Sequence, residues 1–415
     1  MALTNKVLRV NLSNGTCESE ATNAEWAKKY LGQRGLATKY MVEEVDPKVD
    51  ALSADNKLIF ATGPLTGTAA PTSGRWSVIT KSPLTGAIAC SNSGGFFGAE
   101  MKNAGWDMII FEGKSDGPVY LDITNDQAEL KDASNMWGKT VWETEDMLRE
   151  IRGDNDIRCA SIGPAGESGV LFAAVVNDKD RAAGRSGVGT VMGSKNLKAI
   201  AVRGTVGTQV GDAMKFMQAA GAAKQILADN AVTGEGLPTY GTQVLMNVIN
   251  ETGALPTRNA NDVQFEGASK IGGEAMHEIR ESDGQANLVS NNACFGCPIS
   301  CARISKIDPE HFTVKGRPEY QINSGGLEYE SAWSLGAATG VDDLEALTYC
   351  NFICNELGMD PISLGSTIAA AMDLYKEGAI TDEDTGGMKL EFGNTKALVA
   401  IVEATGRGEG FGVEI

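Results

Sequence analysis

Apolar side chains alternate with polar ones at Leu8, Val10 and Leu12, and the next four residues, Ser13-Asn14-Gly15-Thr16, have the composition of a tight turn. The pattern predicts a strand from Val7 to Leu12 that opens a hairpin. Short β-type runs recur at Leu58 to Ala61, Trp76 to Thr80, Met108 to Phe111, Val119 to Ile123 and Ala199 to Val202, each bounded by turn residues. Up to about residue 205 the chain is therefore expected to be mostly sheet. Pro64-Leu65-Thr66-Gly67 returns as Pro83-Leu84-Thr85-Gly86 around one of these runs, so two similar turns should flank one ribbon.

From about Asp212 the period becomes helical. Ala and Met dominate Asp212 to Asn230, and Asp342 with Glu345 reads as a capping box ahead of Leu347 and Phe352. Asp360-Pro361 reads as an N-cap followed by proline at the first helical position, with Gly358 closing the helix before it. Between Leu237 and Pro318 the chain is polar and glycine-rich and lacks a long periodic segment, as expected of a functional excursion. After an apolar helix at Ala397 to Ala404, glycines at 406, 408, 410 and 412 make a turn, and Val413-Glu414-Ile415 reads as the start of another helix, as in a fragment. The expected fold is α+β, with a β-rich domain over residues 1–208 and a mostly α-helical domain over 209–415.

Composition narrows the function. With 54 acidic against 36 basic residues the formal charge is −18, which opposes a phosphate backbone, so nucleic acid is not an expected partner. No apolar stretch is long enough for a membrane span and no signal-peptide core opens the chain, so a cytoplasmic protein without a membrane partner is expected. Oligomeric state is not specified by the sequence. Eight cysteines, five of them scattered, suit a reducing compartment rather than a disulfide framework.

The other three, Cys294, Cys297 and Cys301, lie within eight residues. Thiolates at CxxCxxxC spacing suit either zinc or an iron–sulfur cluster. A fourth ligand is missing locally: His311 or His277 could complete a zinc site, and a cysteine from elsewhere could complete a cluster. The plainer alternative is three small buried residues in a turn. Radical enzymes that use S-adenosylmethionine space their cysteines in the reverse order.

Two glycine-rich stretches, Ser91 to Gly98 and Asp180 to Gly187, could let backbone N–H groups approach a phosphate, or could be tight turns and nothing more. Gly187, Gly189 and Gly193 fail the dinucleotide-binding spacing, and Gly193-Ser194-Lys195 lacks the order of a Walker loop. Arg75 and Arg181, next to these stretches, are candidates to hold an anion or to form surface salt bridges. Glu330 opens a helix-like run, where a carboxylate serves either the helix dipole or proton transfer. Cys350 and Cys354 share one helical face and read as core.

Taken in order, Gly63-Pro64-Leu65-Thr66-Gly67, Asn92 to Gly98, Arg181 to Gly187 with Met192 to Lys195, the cysteine cluster, and Leu327-Glu328-Tyr329-Glu330 resemble the tungsten-containing aldehyde:ferredoxin oxidoreductase family nearly end to end, most of all its bacterial aldehyde-oxidising branch. The resemblance implies a β-rich base for a tungsten bis-molybdopterin, covered by helical domains. It further implies that Arg75, Asn92, Gly94, Arg181, Ala182 and Gly184 hold the pterins, their phosphates and a bridging magnesium. By the same resemblance Cys294, Cys297 and Cys301 are ligands of a four-iron, four-sulfur cluster. Asn355-Glu356-Leu357-Gly358-Met359-Asp360 matches a pterin-binding Asp-x-x-Gly-Leu-Asp, with Asn355 in place of the first aspartate, and Glu330 matches a glutamate near the metal.

The implied reaction is oxidation of an aldehyde to a carboxylic acid, with electrons leaving singly to ferredoxin or an iron–sulfur subunit. A tungsten reductase of an aromatic thioester and a non-catalytic zinc or iron–sulfur protein are the alternatives. Family members extend beyond this length, and the chain is expected to be a C-terminal truncation, short of the domain that supplies the fourth cluster cysteine.

Overall fold

The computed structural model describes residues 2–415. They fall into two compact units. Unit 1 runs through Ile226 and also includes Cys294–Pro298 and Glu356–Met359; unit 2 comprises Leu227–Ala293, Ile299–Asn355 and Asp360–Ile415.

Unit 1 is built on two six-stranded sheets. The first contains β1 (Lys6–Asn11), β2 (Thr16–Ala21), β3 (Leu58–Thr62), β4 (Trp76–Lys81), β5 (Ile88–Ser93) and β6 (Met108–Glu112), in the order β2-β1-β6-β3-β4-β5. The second contains β7 (Val119–Thr124), β8 (Gln127–Asp132), β9 (Arg158–Ser161), β10 (Val175–Asn177), β11 (Arg181–Ala183) and β12 (Leu197–Arg203), in the order β11-β10-β9-β12-β7-β8. Each sheet has one parallel pair, β1 with β6 and β12 with β7, among antiparallel neighbours.

Side-chain alternation gives the inner strands two buried faces, whereas the edge strands β2 and β8 stay largely open to solvent. Leu8, Val10, Leu58, Phe60, Trp76 and Val78 join Leu121, Ile123, Ile200 and Val202 in one central core. The intervening Val7, Ile59, Ala61 and Ile79 pack on the opposite face against α1 (Ala24–Tyr30) and α2 (Gln33–Glu44). Strands buried on both faces read as continuous apolar runs, which is why Leu58 to Ala61 shows no polar alternation. Ala199 and Ala201 similarly meet Leu148 of α4 (Val141–Arg152). Short helices α3 (Phe97–Asn103) and α6 (Val188–Ser194) contribute Phe97, Met101, Val188 and Val191 to the central core, and α5 (Pro164–Ser168) precedes β10.

The two six-stranded sheets make this half β-rich, as expected, and they are accompanied by the six helices α1 to α6. Two of them carry signals in the sequence: Asn23 caps α1, and Thr140 with Glu143 forms the capping box of α4. The hairpin predicted at Ser13 to Thr16 is present, with Asn11 opposite Thr16. The repeated turns bracket β4, Pro64 to Gly67 before it and Pro83 to Gly86 linking it to β5.

Glu145 of α4 is almost fully buried, and burial pushes its carboxyl up to about 7 although Arg149 lies 2.6 Å away. The ion pair offsets desolvation only in part. Because the folded-state value lies above the ordinary 4.5, the folded chain holds the extra proton, and the stability this confers is complete below the unfolded value and lost as pH rises through 7. Ionising Glu145 in place should cost roughly 3 kcal/mol. Thermal melts of wild type and Glu145→Gln should therefore diverge in favour of the variant between about pH 5 and pH 8; parallel curves would show that the ion pair carries the charge at no cost.

Helix α7 (Ala213–Asp229) matches the run read from Asp212 to Asn230. Most of it lies in unit 1, and the helices that follow are α8 (Leu237–Tyr240), α9 (Leu245–Glu251), α10 (Tyr329–Leu335), α11 (Leu344–Leu357), α12 (Pro361–Lys376) and α13 (Thr395–Arg407). Strands β13 (Leu288–Asn292), β14 (Ala302–Lys306) and β15 (Ile322–Ser324) form a three-stranded antiparallel sheet. The excursion from Leu237 to Pro318 thus contains a hairpin, and the cysteine cluster lies on its connection. Asp360 caps α12 as expected, accepting N–H bonds from Ile362 at 3.2 Å and Ser363 at 3.1 Å.

The cap expected at Asp342 belongs instead to Asp343, which accepts from the Ala346 N–H at 3.1 Å. Asp342 pairs with Lys270, and Glu345 turns away to Arg280 and the Asp308 N–H. Cys350 and Cys354 are fully buried, and burial pushes both thiols up, in keeping with core packing. Among the described residues no helix is long and apolar enough to cross a membrane.

Candidate functional site

The candidate site in unit 1 begins where β5 ends. Gly94 and Gly95 follow Ser93, and Phe96 leads into α3. The Gly94 carbonyl accepts from Trp76 Nε1 at 3.2 Å and from Asn177 Nδ2 at 3.1 Å, while Ser93 Oγ donates to Asn177 Oδ1 at 2.7 Å. Asp178 Oδ2 accepts from the Phe96 N–H at 2.6 Å. Gly95 has φ +76°, and a Cβ there would lie 2.3 Å from Asp178 Oδ2 and 2.5 Å from Asn177 Nδ2. Only glycine fits, because the β10–β11 hairpin is bolted onto this backbone.

Arg75 and Asn92 lie beside the same turn. The Arg75 guanidinium is exposed, donates to Asn92 Oδ1 at 3.4 Å, and has its carbon 3.9 Å from where a Gly94 Cβ would be. Asn92 Nδ2 donates to Ser77 Oγ at 2.9 Å. Arg181 opens β11, half-buried and 3.1 Å from Asp180 Oδ2. Ala182 pairs with Val176 across the hairpin, and Gly184 leads into the turn Arg185–Gly187, where Ser186 has φ +71°. Arg158 stacks on Phe96 at 4.9 Å, adding a third guanidinium to the neighbourhood.

The cysteine loop is bonded to this turn. Phe295 N–H donates to the Gly95 carbonyl at 3.1 Å, Thr72 N–H donates to the Gly296 carbonyl at 3.1 Å, and the Phe295 and Phe96 rings meet edge to face. A Cβ on Gly94 would sit 2.7 Å from Cys294 Sγ, so the thiol packs directly over the glycine. Cys297 N–H closes the loop onto the Cys294 carbonyl at 3.1 Å. Cys294, Cys297 and Cys301 are all partly exposed. Among the described residues no three His, Cys, Asp or Glu side chains are drawn together tightly enough to form a metal site.

Gly358 and Met359 also belong to unit 1: Ala174 N–H donates to the Gly358 carbonyl at 2.8 Å, and Met359 bridges Ala173. A Cβ on Gly163 would meet the Leu357 carbonyl oxygen at 2.3 Å, which fixes the close approach of this segment to the start of α5.

In unit 2, Asn355 and Asp360 are buried, while Glu330 is exposed in the first turn of α10. Glu328 is the more tightly held carboxylate of that motif, accepting from Thr242 Oγ1 at 2.5 Å while the same hydroxyl accepts from the Tyr329 N–H. The two histidines that could complete a zinc site have other partners, His311 with Thr313 and Asp343, His277 with the Thr239 carbonyl. Sequence reasoning missed Asn177 and Asp178, which brace the glycine turn, and Arg303, a fully buried cation beside Cys301 in the chain. Asn177-Asp178-Lys179-Asp180 carries turn residues between β-type runs, a signal that could have located the brace.

The fold and site define an α+β protein in which a glycine turn flanked by arginines is joined to a thiol-bearing loop by a backbone hydrogen bond. The chain belongs to the aldehyde ferredoxin oxidoreductase family: residues 7–204 match that family's N-terminal domain and residues 218–415 its domains 2 and 3. It is 52% identical over 410 residues to a tungsten-containing aldehyde ferredoxin oxidoreductase of Pyrococcus horikoshii, a match covering 98% of this chain and 65% of that one. The enzyme of the same name from Pyrococcus furiosus is 48% identical over 98% of this chain and 64% of its own. Among solved structures, the active-site complex BamBC of benzoyl coenzyme A reductase, in complex with 1,5-dienoyl-CoA, matches with a TM-score of 0.84 at 28% identity, over 99% of this chain and 61% of that one. The chain thus spans about two thirds of the length of the relatives it matches.

Proposed function

We propose that this chain carries the pterin-binding base and iron–sulfur loop of an oxidoreductase that converts aldehydes to carboxylic acids. The observation that carries the reading is the hydrogen bond from Phe295 N–H to the Gly95 carbonyl, which ties the thiol donors to the glycine turn. The residues fit the groups assigned to them. The exposed guanidinium of Arg75, bonded to the exposed Asn92 beside the glycine turn, suits an anionic phosphate, and soft thiolates suit iron and sulfide. Identity near 50% to tungsten-containing aldehyde ferredoxin oxidoreductases supports the same assignment.

In this reading Arg75, Asn92, Gly94, Arg181, Ala182 and Gly184 hold the pterin phosphates and their magnesium, and Asn355 and Asp360 supply further hydrogen bonds. Cys294, Cys297 and Cys301 are ligands of the four-iron, four-sulfur cluster. The bound tungsten–pterin would supply the two-electron acceptor. Oxidation of an aldehyde to the acid, with water supplying the oxygen, releases two electrons and two protons, and in this reading the Glu330 carboxylate, exposed in the first turn of α10, would take one of the protons. The electrons would pass singly to ferredoxin or an iron–sulfur subunit.

Elemental analysis of the anaerobically purified protein tests the reading: tungsten together with iron and acid-labile sulfide is expected, with iron and sulfide lost in Cys294→Ala. Zinc without tungsten or sulfide would refute it. Reduction of an aromatic thioester with no aldehyde oxidation would place the protein with its structural neighbour instead.

A further inference from the structure

Arg303, on β14, is 1% exposed, yet its guanidinium donates to three neutral oxygens: Asn291 Oδ1 at 2.9 Å, and the carbonyls of Ala302 and Leu237 at 3.1 Å each. A buried cation costs several kcal/mol unless negative charge offsets it. The Glu328 carboxylate offsets part of this cost, and Cys301 lies two residues back along the chain. The geometry holds the guanidinium close to the backbone of Cys301. Gly241 has φ +62°, and a Cβ there would lie 2.6 Å from Arg303 Nη2 and 3.0 Å from the Cys301 carbonyl oxygen. Arginine and cysteine backbone therefore share one glycine surface, and no larger residue at 241 would leave the guanidinium in place.

We propose that Arg303 is a positioning residue that raises the reduction potential of the iron–sulfur cluster held by Cys301, an inference that rests on the cluster assignment above. Reduction adds one electron, supplied by the proposed aldehyde oxidation, and makes the cluster one charge more negative, with no bond made or broken. A fixed cation in a site shielded from water favours the more negative state. Glu328 acts in the opposite sense. The pair would poise the cluster to accept an electron and still release it to a partner.

The test is a redox titration of the holoenzyme, followed by electron paramagnetic resonance, with iron and sulfide measured in every sample. Arg303→Gln should lower the midpoint, on the order of tenfold in the one-electron equilibrium or about 59 mV. Arg303→Lys should restore most of it, whereas Glu328→Gln, which keeps an acceptor for Thr242, should move the midpoint upward. Should Arg303→Gln fail to fold, the upward shift in Glu328→Gln decides the matter by its sign. Wild-type midpoints in both glutamine variants, at unchanged cluster content, would overturn the inference while leaving the cluster assignment standing. Absence of iron and sulfide from the wild type would overturn both.

Discussion

Replacing Gly95 by alanine is expected to destabilise the protein by about 2–5 kcal/mol, the sum of a left-handed backbone penalty and a steric clash in a packed region. The added methyl would sit 2.3 Å from Asp178 Oδ2 and 2.5 Å from Asn177 Nδ2, with Arg181 Cγ at 3.1 Å. None of these neighbours can yield cheaply. Asp178 is held by the Phe96 N–H and by Asn177 Nδ2, and Asn177 in turn by Ser93 and the Gly94 carbonyl. Relieving the clash means unfastening the β10–β11 hairpin from the turn that also anchors Phe295, so under the proposed function iron and tungsten content should fall together with stability. Gly86→Ala is the control: its φ of +70° imposes a similar backbone penalty, but nothing lies within 4 Å of the added methyl. Equal melting temperatures for the two variants would show that the hairpin brace contributes nothing.

The same turn shows what the sequence made legible and what it did not. Asn92, Gly94 and Gly95 could be singled out because a glycine pair after a β-type run advertises close approach, and Cys294 to Cys301 because clustered thiols are rare. Neither signal tells which partner approaches. The brace from Asn177 and Asp178 comes from 82 residues away along the chain and depends on how two sheets pack, which no local window encodes. Helices α1 and α4 carried readable caps, whereas α6 is Gly- and Val-rich and is helical because Val188, Val191 and Met192 fill the central core. The Asp342 cap slipped by one residue because two adjacent aspartates satisfy the same pattern, and the ion pair with Lys270 claims Asp342. Arg303 was unreadable for a different reason: burial of a cation follows from tertiary packing around Gly241, while arginine in a polar stretch ordinarily faces water.

Asp107→Ala is expected to cost about 3–5 kcal/mol, because it strands a buried ammonium. Lys102 of α3 is completely buried and pairs with Asp107, itself 2% exposed. The carboxylate also accepts the N–H groups of Thr4 at 3.0 Å and Asn5 at 2.7 Å, so one side chain ties the entry of β1 to the end of the helix that begins at the glycine turn. Burial already lowers the Lys102 pKa from 10.5, with Asp107 holding the proton on against it. Without Asp107 the folded-state value falls further below the unfolded one. The unfolded chain then binds the additional proton, so stability of the variant rises with pH up to the unfolded value, and its deficit against wild type should narrow from neutral toward alkaline pH. Lys102→Met alone should cost less, since the carboxylate keeps its two N–H donors. Adding Lys102→Met to Asp107→Ala should recover part of the loss by removing the stranded charge. Denaturant unfolding of the three variants across pH measures all of this, and a deficit in Asp107→Ala that is below about 1 kcal/mol, or that ignores pH, would mean the ammonium reaches water without the carboxylate.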